Sequence, residues 1–176
     1  IYQNELARRC CEDGIKCHRE VEIRVTHQDF IKSYYLDLLV EHCAIYELKA
    51  VDCLMPPHQN QLINYLLLTQ IHHGKLLNFR SKSVESRFVS TTLNRKDRLD
   101  FHLDETDWKE CSESTKLKKT LISLLEDWGA YLDMNLYRDA LLHLTSGPEG
   151  GLQPVSIEVL GRSIGFQKMC LLNAEC

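Results

Sequence analysis

Residues 34–50, which read YYLDLLVEHCAIYELKA, restrict the fold more than any other part of the chain. The apolar residues predict two buried strands joined by a tight turn at residues 41–43. Three charged residues interrupt this pattern, namely Asp37, Glu47 and Lys49. A charge buried inside a sheet destabilises the fold unless it is paired or serves a function. These three charges therefore need an explanation.

The register of the predicted hairpin decides whether the three charges meet. Side chains alternate along a strand, so Glu47 and Lys49 must share one face. Asp37 joins that face if it lies opposite Glu47, in a register centred on His42. The loop must then hold an odd number of residues or carry a bulge. A two-residue turn would place Asp37 on the other face.

Two carboxylates and a lysine at one place have the chemistry of a site for a hard divalent cation. Mg²⁺ prefers oxygen ligands, keeps several waters and is usually held by one or two carboxylates. Such a metal activates water and shields the charge of a phosphate, while a lysine orients that water or stabilises developing charge. A buried ion pair between Lys49 and the carboxylates explains the same residues without a metal. The spacing alone leaves both interpretations open.

The segment MPPHQNQLINYLLLTQ follows directly and predicts a helix with Gln61 and Tyr65 on one face. The order D…ExK…QxxxY resembles the motif of the PD-(D/E)XK nuclease superfamily. The segments ELKAV, HQNQLINYL and GKLLNF resemble its bacterial GxxExxY group, and the resemblance covers residues 1–89. It implies an α/β fold with a restriction-endonuclease-like αβββαβ core and a mixed central sheet. It also implies a catalytic set of five residues, which are Asp37, Glu47, Lys49, Gln61 and Tyr65.

The resemblance implies a metal-dependent nuclease that hydrolyses phosphodiester bonds of DNA or RNA, with DNA expected ahead of RNA. Asp37 and Glu47 would hold Mg²⁺ or Mn²⁺, and Lys49 would position the attacking water. The alternative is a non-catalytic module that keeps the fold and binds nucleic acid or protein. The family usually has glycine where His42 stands, and its name motif places a glycine and a glutamate just before the tyrosine that matches Tyr2. We therefore expect the sequence to be a fragment of a longer product.

Composition narrows the class of protein. The net charge is −4, and no apolar run approaches the roughly 20 residues of a membrane span. The eight cysteines show no zinc-site spacing, so we predict free thiols in a reducing cytoplasm.

Asp52 is expected to be solvated, and His58 to begin the helix or to touch substrate. Six basic residues predict either a solvated face or a phosphate-contacting rim, namely Arg80, Lys82, Arg87, Arg95, Lys96 and Arg98.

The second half of the chain differs in character from the first. We predict a nuclease-like core at residues 1–95, an acidic linker at 96–116, and helices with a β-hairpin at 117–176. The last forty residues repeat the order helix, glycine-containing loop, strand, strand of the first forty. This order suggests the front half of an inactive second copy, in which Cys170 stands in the place of Asp37. An unrelated helical-hairpin appendage is the alternative.

Overall fold

A computed structural model of the chain describes residues 2–80, 83–146, 152–159 and 162–170. Its main feature is a five-stranded mixed sheet flanked by helices. The order αβββαβ predicted for the core is confirmed. The elements in chain order are α1 (Tyr2–Glu12), β1 (Cys17–His27), β2 (Phe30–Val40), β3 (Ala44–Lys49), α2 (Pro56–Thr69), β4 (His73–Asn78), β5 (Glu85–Ser90), α3 (Arg95–Leu99), α4 (Ser112–Trp128), α5 (Met134–Ser146), β6 (Leu152–Val159) and β7 (Arg162–Cys170).

The strands of the large sheet follow the order of the chain, β1-β2-β3-β4-β5. Neighbours are antiparallel except β3 and β4, which are parallel and are connected through α2. Parallel neighbouring strands need a long crossover connection such as the one through α2, because a tight turn joins only antiparallel strands. The sheet is therefore mixed, as predicted, and α2 crosses it beside the two charged strands.

Helix α2 packs closely on the sheet. Its Leu62 and Leu66 are fully buried in a cluster with Ile45 of β3 and Leu76 of β4. A Cβ at Gly74 would lie 3.0 Å from Leu62 Cδ1 and 3.1 Å from the carbonyl oxygen of Ile45. Glycine at this position lets the helix approach the sheet, and this approach brings the polar side of α2 next to β3.

Helices α4 and α5 pack on the part of the sheet formed by β1 and β2. Val25 and Phe30 share a buried cluster with Leu124, Trp128 and Leu136. The segment predicted as an acidic linker, 96–116, contains most of α3 and the beginning of α4. The division of the chain into separate folding units, with boundaries at residues 95 and 116, stays a prediction.

The C-terminal strands β6 and β7 form a two-stranded antiparallel hairpin, as predicted. The preceding residues, 147–151, lie outside the described part of the chain. In the described part of the chain, no helix is both long enough and apolar enough to cross a bilayer. Five of the described cysteines are free thiols, namely Cys10, Cys11, Cys17, Cys43 and Cys53.

The interpretation of Arg98 as part of a solvated face or a phosphate-contacting rim is wrong. Arg98 is only 4% exposed, and its guanidinium donates to the carbonyls of Leu67 at 2.6 Å, of Ala130 at 3.1 Å and of Trp128. Burial lowers its pKa. Leu67 and Trp128 lie in the last turns of α2 and α4, where carbonyls lack helical partners and attract a cation. Arg98 therefore caps two helices at once.

The other residues of the predicted basic face have separate surroundings. Arg80 forms an exposed ion pair with Asp52 at 3.2 Å. Arg95 donates to the carbonyl of Asp127 at 2.9 Å. Lys82 lies outside the described residues. Arg98 is therefore not part of a phosphate-contacting rim. For the other five basic residues, this prediction stays untested.

The turn between β2 and β3 carries backbone strain. Glu41 and His42 have φ of 49° and 56°, a left-handed conformation that favours glycine. The Glu41 side chain accepts from the backbone N–H of Lys16 at 2.6 Å, which ties it to the chain before β1. His42 contacts the ring of His18, at 4.8 Å between centroids.

We expect His42→Gly to raise the free energy of unfolding by roughly 0.5–1 kcal/mol, because glycine relieves the strain of the left-handed backbone. Urea denaturation of both proteins measures the difference. His42→Asn is the matched control, since asparagine tolerates this conformation but lacks the imidazole ring, and it should lie between the two. A glycine variant less stable than the parent would mean that the contact with His18 outweighs the strain.

Candidate active site

The β2–β3 hairpin has the register that the charged residues require. Leu38 pairs with Tyr46, Leu39 with Ile45 and Val40 with Ala44, around a loop at residues 41–43. This is a three-residue loop centred on residue 42, as predicted. The recorded pairs end at Leu38–Tyr46, and one further step in the same register would place residue 37 opposite residue 47.

Asp37 is held in place by two hydrogen bonds. Its Oδ2 accepts from the backbone N–H of Leu48 at 2.8 Å. Its backbone carbonyl accepts from Gln3 Nε2 of α1 at 2.6 Å. The strand pairs end at Leu38–Tyr46, so the carboxylate bonds β3 where the β2–β3 ladder stops. This fixes Asp37 against the strand that carries Glu47 and Lys49.

A continuous hydrogen-bonded chain links β3 to α2. Lys49 Nζ donates to Glu47 Oε1 at 2.8 Å and to Gln61 Oε1 at 2.8 Å. Gln61 Nε2 then donates to the hydroxyl of Tyr65 at 2.8 Å. Gln61 and Tyr65 share one face of α2 because they lie one helical turn apart, and the bond from Lys49 shows that this face meets β3. The structure thus brings together Glu47, Lys49, Gln61 and Tyr65, with Asp37 beside them.

Glu47 is the most perturbed group of the cluster. Its pKa is raised to about 6, mainly because burial penalises the carboxylate; the charge of Asp37 adds to this and the hydrogen bond from Lys49 opposes it. Its Oε2 is buried and has no hydrogen-bond partner among the described residues. Such groups are rare in folded proteins and point to an unseen ligand or a functional role. A simple ion pair with Lys49 accounts for only one of the two oxygens.

These features fit a divalent cation. Two carboxylates come close enough for the charge of Asp37 to act on Glu47, and one buried oxygen remains free to bind a metal. Mg²⁺ and Mn²⁺ favour such oxygen ligands and accept water in their other positions. Within the described ranges, no three His, Cys, Asp or Glu residues converge on one point. Water or substrate would therefore complete the coordination.

Tyr65 is 6% exposed, and burial raises its pKa, as do the charges of Glu47 and Asp37. Its hydroxyl therefore stays protonated and accepts from Gln61 as a neutral group. Tyr65 is also part of the buried cluster between α2 and the sheet. The packing of its ring fixes the hydroxyl, which in turn orients the amide of Gln61.

Three polar residues near the site have identifiable surroundings. Asp52 is solvated as predicted, with 83% of its side chain exposed. His58 Nδ1 accepts from the backbone N–H of Met55 at 3.0 Å, and this contact caps α2. Asn78 is fully buried and bonds both the N–H and the carbonyl of Val51, at 3.1 and 2.8 Å. Through these two hydrogen bonds, Asn78 holds the segment of the chain that follows β3.

Gln3 is the contact that sequence reasoning missed. It lies in α1, 34 residues before Asp37 in the chain, and binds only the backbone of that residue. A glutamine on an amphipathic helix gives no signal of such a contact. Only the packing of α1 beside β2 reveals it.

We expect Glu47→Gln to stabilise the metal-free protein at pH 7.5 by about 1–2 kcal/mol. The folded-state pKa of about 6 lies above the ordinary value of 4.5, so the folded protein holds this proton more tightly than the unfolded chain. Wild-type stability should therefore fall as pH rises from 4.5 through 6, whereas glutamine cannot ionise.

Urea denaturation in EDTA at pH 4.5 and pH 7.5 measures this difference. The gain should be present at pH 7.5 and nearly absent at pH 4.5. Glu126→Gln, at an exposed position of α4, is the matched control and should change stability little at either pH. An equal gain for Glu47→Gln at both pH values would contradict the assignment of the raised pKa.

Comparison with known proteins places the chain in a superfamily. No curated protein matches the chain. A solved structure titled "Crystal structure of SSO0001" is 18% identical, with a TM-score of 0.43 over 55% of this chain and 51% of that one. The chain thus spans about half the length of that protein. A model of the PD-(D/E)XK nuclease superfamily matches residues 1–89, half of the chain. The chain belongs to the PD-(D/E)XK nuclease superfamily.

Proposed function

We propose that the protein is a metal-dependent nuclease that hydrolyses phosphodiester bonds. Asp37 and Glu47 hold Mg²⁺ or Mn²⁺, and Lys49 positions the attacking water. Gln61 and Tyr65 keep Lys49 in place. The observation that carries the proposal is the buried Oε2 of Glu47, which has no partner in the described structure although the other oxygen binds Lys49. Superfamily membership supports the same chemistry.

The chain's own residues supply binding, orientation and charge. When bound, the divalent cation lowers the pKa of a coordinated water and shields the phosphate. Lys49 Nζ is held by Glu47 and by Gln61 and keeps one further N–H as a donor. The ammonium can use this donor to hold the water oxygen or to stabilise negative charge on the phosphate. Since Gln61 is itself fixed by Tyr65, the lysine is oriented before substrate arrives.

We also assign the chain to the GxxExxY group, on the segments ELKAV, HQNQLINYL and GKLLNF. The order α5, β6, β7 matches α1, β1, β2 and supports a degenerate second copy in residues 117–176, after a nuclease core at 1–95. Cytoplasmic location and a preference for DNA over RNA are parts of the same proposal.

A non-catalytic module that only binds nucleic acid or protein is less favoured. Binding alone does not require a buried carboxylate such as Glu47, whose pKa is raised by burial and whose second oxygen has no partner in the described structure. Replacing a whole buried ion pair by well-packed apolar residues is often neutral or stabilising. The presence of Asp37, Glu47 and Lys49 together is therefore better explained by a role in catalysis.

The test is a nuclease assay on supercoiled plasmid, single-stranded DNA and RNA, each with Mg²⁺, Mn²⁺ or EDTA. We expect cleavage of at least one substrate with metal and none with EDTA. Binding without cleavage in either metal would favour the non-catalytic module. Cleavage that persists in EDTA would indicate a contaminant.

A further inference from the structure

A cleft of about 450 Å³ lies next to the candidate site, between the first half of α2 and the residues that join α4 to α5. We call it the α2–α5 cleft. Gln61 lines this cleft and also binds Lys49, so the cleft opens beside the proposed reaction centre. Its polar and exposed lining residues are Asn60, Gln61, Tyr131, Asp133, Met134 and Asn135.

The wall formed by residues 130–135 is fixed by hydrogen bonds. The N–H of Ala130 donates to the carbonyl of Arg98 at 2.7 Å. The N–H of Asp133 donates to Oδ1 of the buried Asn64 of α2 at 2.9 Å. The N–H of Asn135 donates to Asp133 Oδ1 at 2.8 Å. With its backbone held at these points, the segment presents its side chains in a defined arrangement.

Two large side chains of this wall point away from the core. Tyr131 is 65% exposed and Met134 is 76% exposed, whereas Leu132 between them is 7% exposed. Tyr131 has φ of 68°, a left-handed conformation that residues with side chains rarely adopt. Strained residues in a well-fixed loop tend to occur at functional sites. The loop is thus anchored through Leu132 and leaves the exposed ring of Tyr131 at the cleft.

The chemistry of the lining selects one occupant. A flat exposed ring offers a stacking surface, and the amides of Asn60, Gln61 and Asn135 can each donate and accept hydrogen bonds. The carboxylate of Asp133 repels phosphate but accepts from an amino group. The volume lies in the range of roughly 300–1,000 Å³ found for small-molecule sites. A neutral, planar, hydrogen-bonding group fits, and a phosphate does not.

We propose that the α2–α5 cleft binds one unpaired base of the nucleic-acid substrate, stacked on Tyr131. This inference rests on the proposed function, because Gln61 then places the base beside the phosphate to be cleaved. A base inside a duplex cannot reach the ring, so the substrate is single-stranded or has a base turned out of the helix. The cleft therefore gives the protein a preference for single strands.

The test measures binding of fluorescent 12-nucleotide single strands, DNA and RNA, by anisotropy in Mg²⁺. The Lys49→Ala protein is the background, so that the probe stays intact. Adding Tyr131→Ala should weaken binding about tenfold, the order expected for loss of one base–aromatic stack. Tyr131→Trp should bind within about twofold of the background. Phe88→Ala is the matched control, because Phe88 is 80% exposed on β5 and lies outside the cleft.

A second probe separates stacking from a structural effect. Against a 12-nucleotide strand made only of abasic sites, Tyr131→Ala should bind as well as the background. An equal loss on both probes, or no loss on the normal strand, overturns the base site. If wild-type protein still cleaves nucleic acid in that case, the proposed function stands without it. If wild-type protein neither binds nor cleaves any nucleic acid, both proposals fall.

Discussion

Lys49→Ala should reduce the rate of phosphodiester cleavage by about 10³-fold or more. The Lys49 ammonium is the one group of the candidate site that binds both a proposed metal ligand, Glu47, and the supporting amide of Gln61. Its removal takes away the charge that orients the water, and no described residue lies in position to replace it. Asp37→Asn should cause a loss of similar order, because an amide is a much poorer ligand for a hard cation.

The controls for these variants are chosen by chemistry and exposure. Lys119→Ala removes a lysine from an exposed position of α4, and Asp52→Asn neutralises an exposed aspartate just past β3. Both should keep the wild-type rate within about twofold, as surface changes usually do. Circular dichroism should show all four variants folded. If Lys49→Ala keeps more than a tenth of the wild-type rate, Lys49 does not have the proposed role.

Arg98→Ala should lower the free energy of unfolding by about 3–5 kcal/mol. Three carbonyls, of Leu67, Trp128 and Ala130, lose a charged donor in a buried place, and a cavity remains beside them. Lysine cannot reproduce contacts to three separate acceptors with the geometry of a guanidinium, so Arg98→Lys should recover only part of this loss. Urea denaturation followed by circular dichroism gives the difference from the shift in midpoint at constant slope.

Arg95→Ala is the matched control, because Arg95 lies on the same short helix and donates a single exposed bond to the carbonyl of Asp127. It should cost less than about 1 kcal/mol. The backbone at Gly129 lies so close to Arg98 that a Cβ at position 129 would lie 2.8 Å from Arg98 Cβ. The packing around Arg98 therefore requires glycine at this position. A loss below about 1 kcal/mol for Arg98→Ala would mean that water replaces the guanidinium without penalty.

The central hairpin was predictable because its determinants are local. If the three charges share one face, the alternation of side chains requires a register centred on His42, and the observed pairs agree with this register. Helical spacing gave the shared face of Gln61 and Tyr65, and the resemblance to the superfamily motif implied that this face meets the same cluster. These inferences needed only the geometry of neighbouring elements and the order of the motif.

Contacts between distant segments were not predictable in the same way. Arg98 stands among other basic residues in the sequence, and nothing local shows that two helices end around it. The apolar stripe of α4 predicts a helix but does not name Val25 and Phe30 as its partners. Tyr131 follows a glycine at a helix end, where a loop is the natural expectation. Tertiary packing decides each of these cases.

Arg98 also connects the two walls of the α2–α5 cleft. Its guanidinium holds α2 through Leu67, and its backbone carbonyl holds the opposite wall through Ala130. Together with the hydrogen bond between Asp133 and Asn64, Arg98 therefore helps to set how far apart the walls stand. A substitution that repositions this guanidinium would widen or narrow the opening, and so alter which substrates enter, without changing any residue that touches them.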